Sequence, residues 1–220
     1  MNNMTITRIS GNILDVVQEE INPGTHIIQN GTIFDIVRDR GPFPTFLIPG
    51  FIDSHVHVES SMLTPAAFAR AAVVHGTVAT VSDPHEIANV MGIAGIRYMI
   101  DEGKKTPFKF YFSAPSCVPA TAVETSGATL DAGAVEDMLS MPEIVYLGEV
   151  MNFPGVIARD PEVMRKIEAA RKRGKRIDGH SPGLTGDALR RYANAGITTN
   201  HECLSTAEVI EDHDCPVKVI

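Results

Sequence analysis

Residues 47–61 read LIPGFIDSHVHVESS, an apolar run that ends in two histidines with one residue between them. Side chains alternate faces along a strand, so His55 and His57 project the same way, one pleat apart. Two imidazoles on one face at a strand's end can close on a single metal ion, since neutral imidazole is a common metal ligand. Taken alone, the pair is equally open to a plainer reading, two half-exposed histidines on an edge strand. The chain that follows bears on the choice, because further segments place His or Glu at corresponding positions.

Downstream, the pattern becomes strand then helix, repeatedly. A helix is expected over 65–75, with Thr64 as N-cap and Gly76 just past its end. The β-branched run 77–82 reads as a strand, followed by the loop DPHE (83–86) and a helix over 87–102 closed by Gly103. A third strand is expected at 108–113, then a long loop APSCVPATAVETSGA (114–128) and a helix at 133–140. The fourth strand, 144–147, runs into Gly148-Glu149, and Asp160 caps a helix over 161–173 that starts on proline. The fifth strand, 176–178, ends at Gly179-His180, and a helix over 184–195 stops at Gly196. The sixth strand, 197–199, ends at Asn200-His201-Glu202, a helix covers 205–212, and a seventh strand begins at 217. Repeated βα units imply a parallel sheet. Chemically loaded strand ends fit the C-terminal face of a (β/α)8 TIM-type barrel better than an open doubly wound sheet, whose site gathers at a switch point. The expected fold class is therefore α/β, a barrel represented here by about six to seven strands and expected to belong to a longer chain.

Residues 1–46 read as short strands, ITRISGNILDVV and THIIQNGTIFDIVR, with Asn30-Gly31 marking a hairpin. That is too little for a stable sheet alone. The expected division is 1–46 as the N-terminal β segment of a composite β-sandwich domain, and 47–220 as the N-terminal part of the barrel.

Composition narrows the function. Of 220 residues, 44% are hydrophobic and 21% charged, and the formal net charge is −8, which disfavours a nucleic-acid backbone as partner. The one basic run, RKRGKR at 171–176, reads as a solvated helix end. Apolar stretches are interrupted well short of a membrane span. The first residues, MNNMTITRIS, lack the features of a signal peptide. Three cysteines without paired spacing argue against disulfides and for a reducing compartment, so a cytoplasmic protein is expected.

Around a barrel mouth, His55, His57, Glu149, His180 and His201 would converge on one cavity. Four imidazoles and a carboxylate able to bridge two cations suit divalent Mn, Fe or Zn, and two metals sharing a site can acidify a bound water. His85 and Glu86, in the loop after the second strand, face the same mouth; substrate contact, an additional metal and loop-bracing hydrogen bonds all stay open for them. Ser116, Glu124 and Ser126 sit in a long loop of the kind that often covers a pocket, and Asn89 reads as a cap or loop brace.

The runs GFIDSHVHVESSM, DPHEIANVMG, PSCVPAT, ETSGA, GEVMNFPGV, IDGHSPGLTG and the later His201-Glu202 pair together resemble the bacterial adenine deaminases of the amidohydrolase superfamily, over roughly residues 49–211. The resemblance implies that His55 and His57 bind a first metal, His180 and His201 a second, and that Glu149 bridges them. It makes Glu149 and His201 the candidate catalytic residues and His85 and Glu86 the candidate substrate-binding residues. The cofactor implied is a divalent metal pair, Mn or Fe, with Zn as alternative. The reaction implied is attack of a metal-activated water on the amino-bearing ring carbon of adenine, giving hypoxanthine and ammonia in purine salvage. A homo-oligomer, a dimer or larger, is also implied. Relatives that use a carboxylated lysine as bridge, such as dihydroorotase and hydantoinase, are disfavoured because Glu149 stands at that strand end. The general acid/base of the superfamily, an aspartate after an eighth strand, has no counterpart in this sequence. Asn200 stands where the family usually carries an aspartate, which is expected to loosen the orientation of His201. Two alternatives remain: another amidohydrolase acting on an aminopurine or cyclic amide, and an inactive metal-binding fragment.

Overall fold

The structure is a computed structural model that describes residues 5–121 and 123–220. The start of the N-terminal segment (residues 1–4) and Ala122 of the long loop lie outside the described residues. Two compact units divide between Gly50 and Phe51.

The first unit is a four-stranded sheet of β1 (Ile6–Asp15), β2 (Glu20–Gln29), β3 (Thr32–Arg38) and β4 (Phe46–Leu47), in the order β3-β2-β1-β4. β1 and β2 pair antiparallel, as do β2 and β3. The hairpin expected at Asn30-Gly31 is present, and both residues have positive φ (51° and 79°), the backbone a two-residue hairpin turn requires. The apolar run from Leu47, expected to form one strand, is divided. Phe46–Leu47 pairs parallel with β1, Pro49-Gly50 breaks the ladder, and the next strand starts at Phe51. Proline lacks the N–H a ladder needs, which puts the unit boundary a few residues past 46.

The second unit carries the βα pattern. In chain order it contains β5 (Phe51–Val56), a single 3-10 turn (Val58–Ser61), α1 (Pro65–Val73), β6 (Thr77–Ser82), α2 (His85–Met91), α3 (Ile93–Gly103), β7 (Lys109–Ala114) and α4 (Ala132–Leu139). There follow β8 (Ile144–Val150), α5 (Phe153–Ala158), α6 (Pro161–Lys172), β9 (Arg176–Gly179), α7 (Gly186–Asn194), β10 (Thr199–Asn200), α8 (Thr206–Asp214) and β11 (Lys218–Val219). The seven strands pair in parallel in strict sequence order, β5 to β11, the arrangement of an incomplete (β/α)8 barrel. β8, at the centre, is buried at six of seven positions, whereas edge strand β5 is exposed at four of six. Two layers of side chains cover a central parallel strand and only one reaches an edge, so this gradient follows from position in the sheet.

Local chemistry sets the helix boundaries. The Thr64 side chain accepts from the Ala67 N–H and Pro65 opens α1; Asp131 and Asp160 cap α4 and α6 in the same way. One cap of this kind contributes about 1 kcal/mol. The single helix expected over 87–102 is instead two. Gly92, at φ 59° and ψ −145°, takes a backbone that only glycine adopts readily and separates α2 from α3. α5 was not expected; Asn152 starts it by accepting from the Gly155 N–H. The core joins the inner faces of α3, α4 and α6 to β7, β8 and β9 through Ile96, Met99, Phe112, Met138, Leu147, Ile167 and Ile177.

Candidate metal centre

All five residues singled out from the sequence lie in the second unit, at the C-terminal ends of parallel strands. His55 is in β5 and His57 just after it; Glu149 is the penultimate residue of β8; His180 follows β9 and His201 follows β10. The expected convergence is what the geometry shows. The Nε2 atoms of His55 and His57 lie 3.1 Å and 2.8 Å from Glu149 Oε1. His180 Nδ1 and His201 Nε2 lie 2.8 Å and 3.5 Å from Glu149 Oε2. One buried carboxylate therefore faces two imidazole pairs, one pair on each oxygen.

The donor set fits cations. Nδ1 of His57 is 2.8 Å from the Asp83 carbonyl oxygen. A carbonyl can only accept, so Nδ1 carries the proton and neutral His57 has a lone pair on Nε2. That lone pair faces both Glu149 Oε1 and, at 3.1 Å, His55 Nε2. Three electron-rich atoms at such distances repel unless a proton or a cation lies among them. Glu149 Oε1, His180 Nδ1 and His201 Nε2 are moreover buried without a hydrogen-bond partner. The atoms of His55, His57 and Glu149, and those of Glu149, His180 and His201, lie within 4.8 Å of one another, close enough to share an ion. A proton can also occupy that place. Burial works to lower the pKa of His55, His57 and His201, yet the surrounding carboxylates outweigh it and raise each to about 9. Burial likewise opposes ionisation of Glu149, and the four imidazoles reverse it, holding the carboxyl far below the usual range.

Asp83 and Asp178 were not singled out from the sequence, and both are almost fully buried against the cluster. Asp83 accepts from Ser113 Oγ (2.7 Å) and from the backbone N–H of Glu149 (2.9 Å). Asp178 Oδ2 lies 3.3 Å from His55 Nδ1 and 3.4 Å from His201 Nδ1. A usable signal was present: Asp178 stands two residues before His180, on the same face of a strand. Tyr192 of α7 ties the strand ends together, donating to the Val150 carbonyl and accepting from the His180 N–H.

His85 and Glu86 open α2 rather than lying in a loop. His85 Nδ1 is 3.5 Å from Asp83 Oδ2 and 3.8 Å from Glu149 Oε1, whereas the exposed Glu86 accepts from Ser60 Oγ (2.6 Å). The two consecutive residues thus face different surroundings. Asn89 braces the turn, donating to the His85 carbonyl, and its own carbonyl accepts from the Gly127 N–H. Ser116 Oγ donates to the Glu149 carbonyl, which docks the long loop onto β8. Asn200 is buried and committed elsewhere: its Oδ1 accepts from the Ser181 and Glu202 N–H groups and its Nδ2 donates to Asp212. The carboxylate facing Nδ1 of His201 is Asp178, so the expectation that Asn200 loosens that ring is corrected. A cavity of about 560 Å3, lined among others by Cys117, Leu147, Asn152 and Lys166, lies off the chemistry, since no histidine borders it.

Residues 46–220 match the profile of the Amidohydrolase family. The chain is 53% identical to an adenine deaminase from Sulfurovum sp. over 96% of its own length and 40% of the relative's. It is likewise 53% identical to an adenine deaminase from Methanothermobacter thermautotrophicus over 96% of its length and 39% of the relative's. It thus spans about two fifths of the length of these curated relatives. Among solved structures, a mutant atrazine chlorohydrolase from Arthrobacter aurescens, complexed with zinc and atraton, superposes with a TM-score of 0.63 at 16% identity, covering 98% of this chain and 64% of that one. At that identity the likeness supports the fold alone.

Proposed function

Because the chain belongs to the amidohydrolase family, we propose that it supplies the divalent-metal centre of an enzyme that hydrolyses adenine to hypoxanthine and ammonia. The observation that carries the metal-dependent part is the convergence of four imidazoles on the two oxygens of Glu149. The substrate follows from relatives at about half identity that bear the name adenine deaminase.

In this reading His55, His57 and Glu149 would hold one ion, and Glu149, His180 and His201 would hold a second. A set of imidazoles and one carboxylate suits manganese or iron, with zinc as alternative. When bound, such ions supply Lewis acidity and bring the pKa of a coordinated water near neutrality. The chain's own contribution is placement. Glu149, anchored through its backbone by Asp83 and Ser116, keeps both oxygens turned to the imidazoles. Glu149 and His201 are the candidate catalytic residues. His85, half-buried beside Glu149, and Glu86, exposed on the same helical turn, are the candidate substrate contacts. The free thiols of Cys117, Cys203 and Cys215 suit a cytoplasmic enzyme of purine salvage. Among the described residues no helix is long and apolar enough to cross a membrane. The exposed Ile33, Phe34 and Ile36 of β3 support an N-terminal sheet that is one part of a composite β-sandwich domain.

The test takes the manganese-loaded full-length enzyme to which this chain contributes the metal centre, offers it adenine, other aminopurines and cyclic amides side by side, and measures ammonia release from the purines and ring opening of the amides. Adenine turnover is expected, together with loss of bound metal and of turnover in His55→Ala and Glu149→Ala. Turnover of a cyclic amide in place of adenine would move the assignment within the family. Unchanged metal content in both variants would remove the metal centre.

A further inference from the structure

Asp178 touches one histidine from each half of the cluster through a single oxygen. Its Oδ2 lies 3.3 Å from His55 Nδ1 and 3.4 Å from His201 Nδ1, and those two rings stack with centroids 3.6 Å apart. All three atoms are buried and none has a hydrogen-bond partner of ordinary geometry elsewhere or among themselves, so these close approaches are the only polar company they keep. The other oxygen, Oδ1, accepts from Thr199 Oγ1 at 2.6 Å, which fixes the carboxylate's rotation from the neighbouring strand β10. Oδ2 is therefore left for the two imidazoles.

From this geometry we propose that Asp178 is a shared positioning residue, its Oδ2 accepting the Nδ1–H of His55 and of His201 at once. The inference rests on the metal-centre reading above and deepens it. A carboxylate facing a ring nitrogen favours the proton on that nitrogen. Both rings are then held in the Nδ1–H tautomer, with the Nε2 lone pairs turned to opposite oxygens of Glu149. His57 reaches the same tautomer through the Asp83 carbonyl. Of the four converging histidines, His180 alone presents Nδ1 to Glu149. Because one oxygen serves a ligand of each ion, loss of Asp178 weakens both subsites together rather than one. A carboxylate holding only one ring would weaken one. Asp178 Oδ2 faces the Nδ1 atoms of the two rings whose Nε2 atoms face Glu149, so in this proposal it acts through the histidines.

The experiment has two arms. Long-range proton–nitrogen NMR on the zinc-loaded parent protein reads the tautomers without any mutation. Nδ1–H signals are expected for His55 and His201, and Nε2–H signals at either would overturn the proposal. Metal titration with manganese then compares the parent with Asp178→Asn and Asp178→Ala, each checked by circular dichroism. Both sites are expected to weaken by roughly 10–100-fold in the alanine variant. The asparagine variant, whose amide oxygen can still accept but carries no charge, should lie between. Two sites of parental affinity in both variants would overturn the positioning role while leaving the metal centre standing. Loss of one site only, or of a third ion bound by the parent, would overturn the shared role in favour of a one-ring brace or a direct ligand. A parent protein that binds no divalent ion would overturn the metal-centre reading, and this proposal with it.

Discussion

At position 148 the backbone of β8 and the carboxylate of Asp83 approach so closely that an added Cβ would lie 2.3 Å from Asp83 Oδ2 and 2.6 Å from Ser113 Oγ. Glycine there is a steric requirement of the bond between Asp83 and the Glu149 N–H, and through it of the carboxylate's placement. In Gly148→Ala the Asp83 side chain must swing away, abandoning two hydrogen bonds in a buried setting. The expected cost is about 1–3 kcal/mol, seen as an earlier denaturation midpoint, together with a reduced metal content. An alanine variant with parental midpoint and metal content would mean that Asp83 is free to move and does not anchor Glu149. The residue scale also explains why two of the most informative side chains escaped the sequence reading. Asp is common at strand ends and turns; Asp178 shares the two-residue alternation of His180, whereas nothing in DPHE distinguishes Asp83 as a brace from an aspartate that faces water.

Among the helices, the break at Gly92 has the clearest physical cause and the clearest consequence. α2 carries His85 and Glu86 toward the strand ends, while α3 packs Ile96, Met99 and Ile100 into the core. One continuous helix could not serve both directions. The backbone of Gly92 lies where a side chain is strained, and an added Cβ would also approach Ala128 Cβ to 3.2 Å. Gly92→Ala is therefore expected to destabilise the fold by about 1–3 kcal/mol. Metal content should change little, since none of the five converging side chains lies on α2. A thermal melt run beside metal analysis separates the two effects; metal loss without a lower melting temperature would show that α2 is part of the centre after all. The periodic apolar pattern over 87–102 concealed this break, because Ala, Gly and Ile occupy positions that suit either one helix or two.

At the scale of the second unit, the cluster draws side chains from β5, β8, β9 and β10, so a bound ion ties together strands far apart in the chain. A ligand that binds only the folded form stabilises it by about 2.7 kcal/mol at a free concentration one hundred times its Kd. A chelator should therefore lower the melting temperature, and manganese added in excess should restore it. A melting temperature indifferent to both would argue against a cation in the native state. The sequence by itself determined the βα alternation, the parallel class of the sheet, the Asn30-Gly31 hairpin and the five strand-end residues. Each of these is written in local periodicity, turn chemistry or the alternation of side chains along a strand. Tertiary structure alone decided where the run from Leu47 divides, that α2 and α3 part at Gly92, and that Asn200 turns to Asp212 and leaves His201 to Asp178. It also decided that Asp83 and Asp178 stand behind the histidines. These outcomes depend on which neighbour lies across a strand or a turn, and that spacing through the fold leaves no mark on the order of residues along the chain.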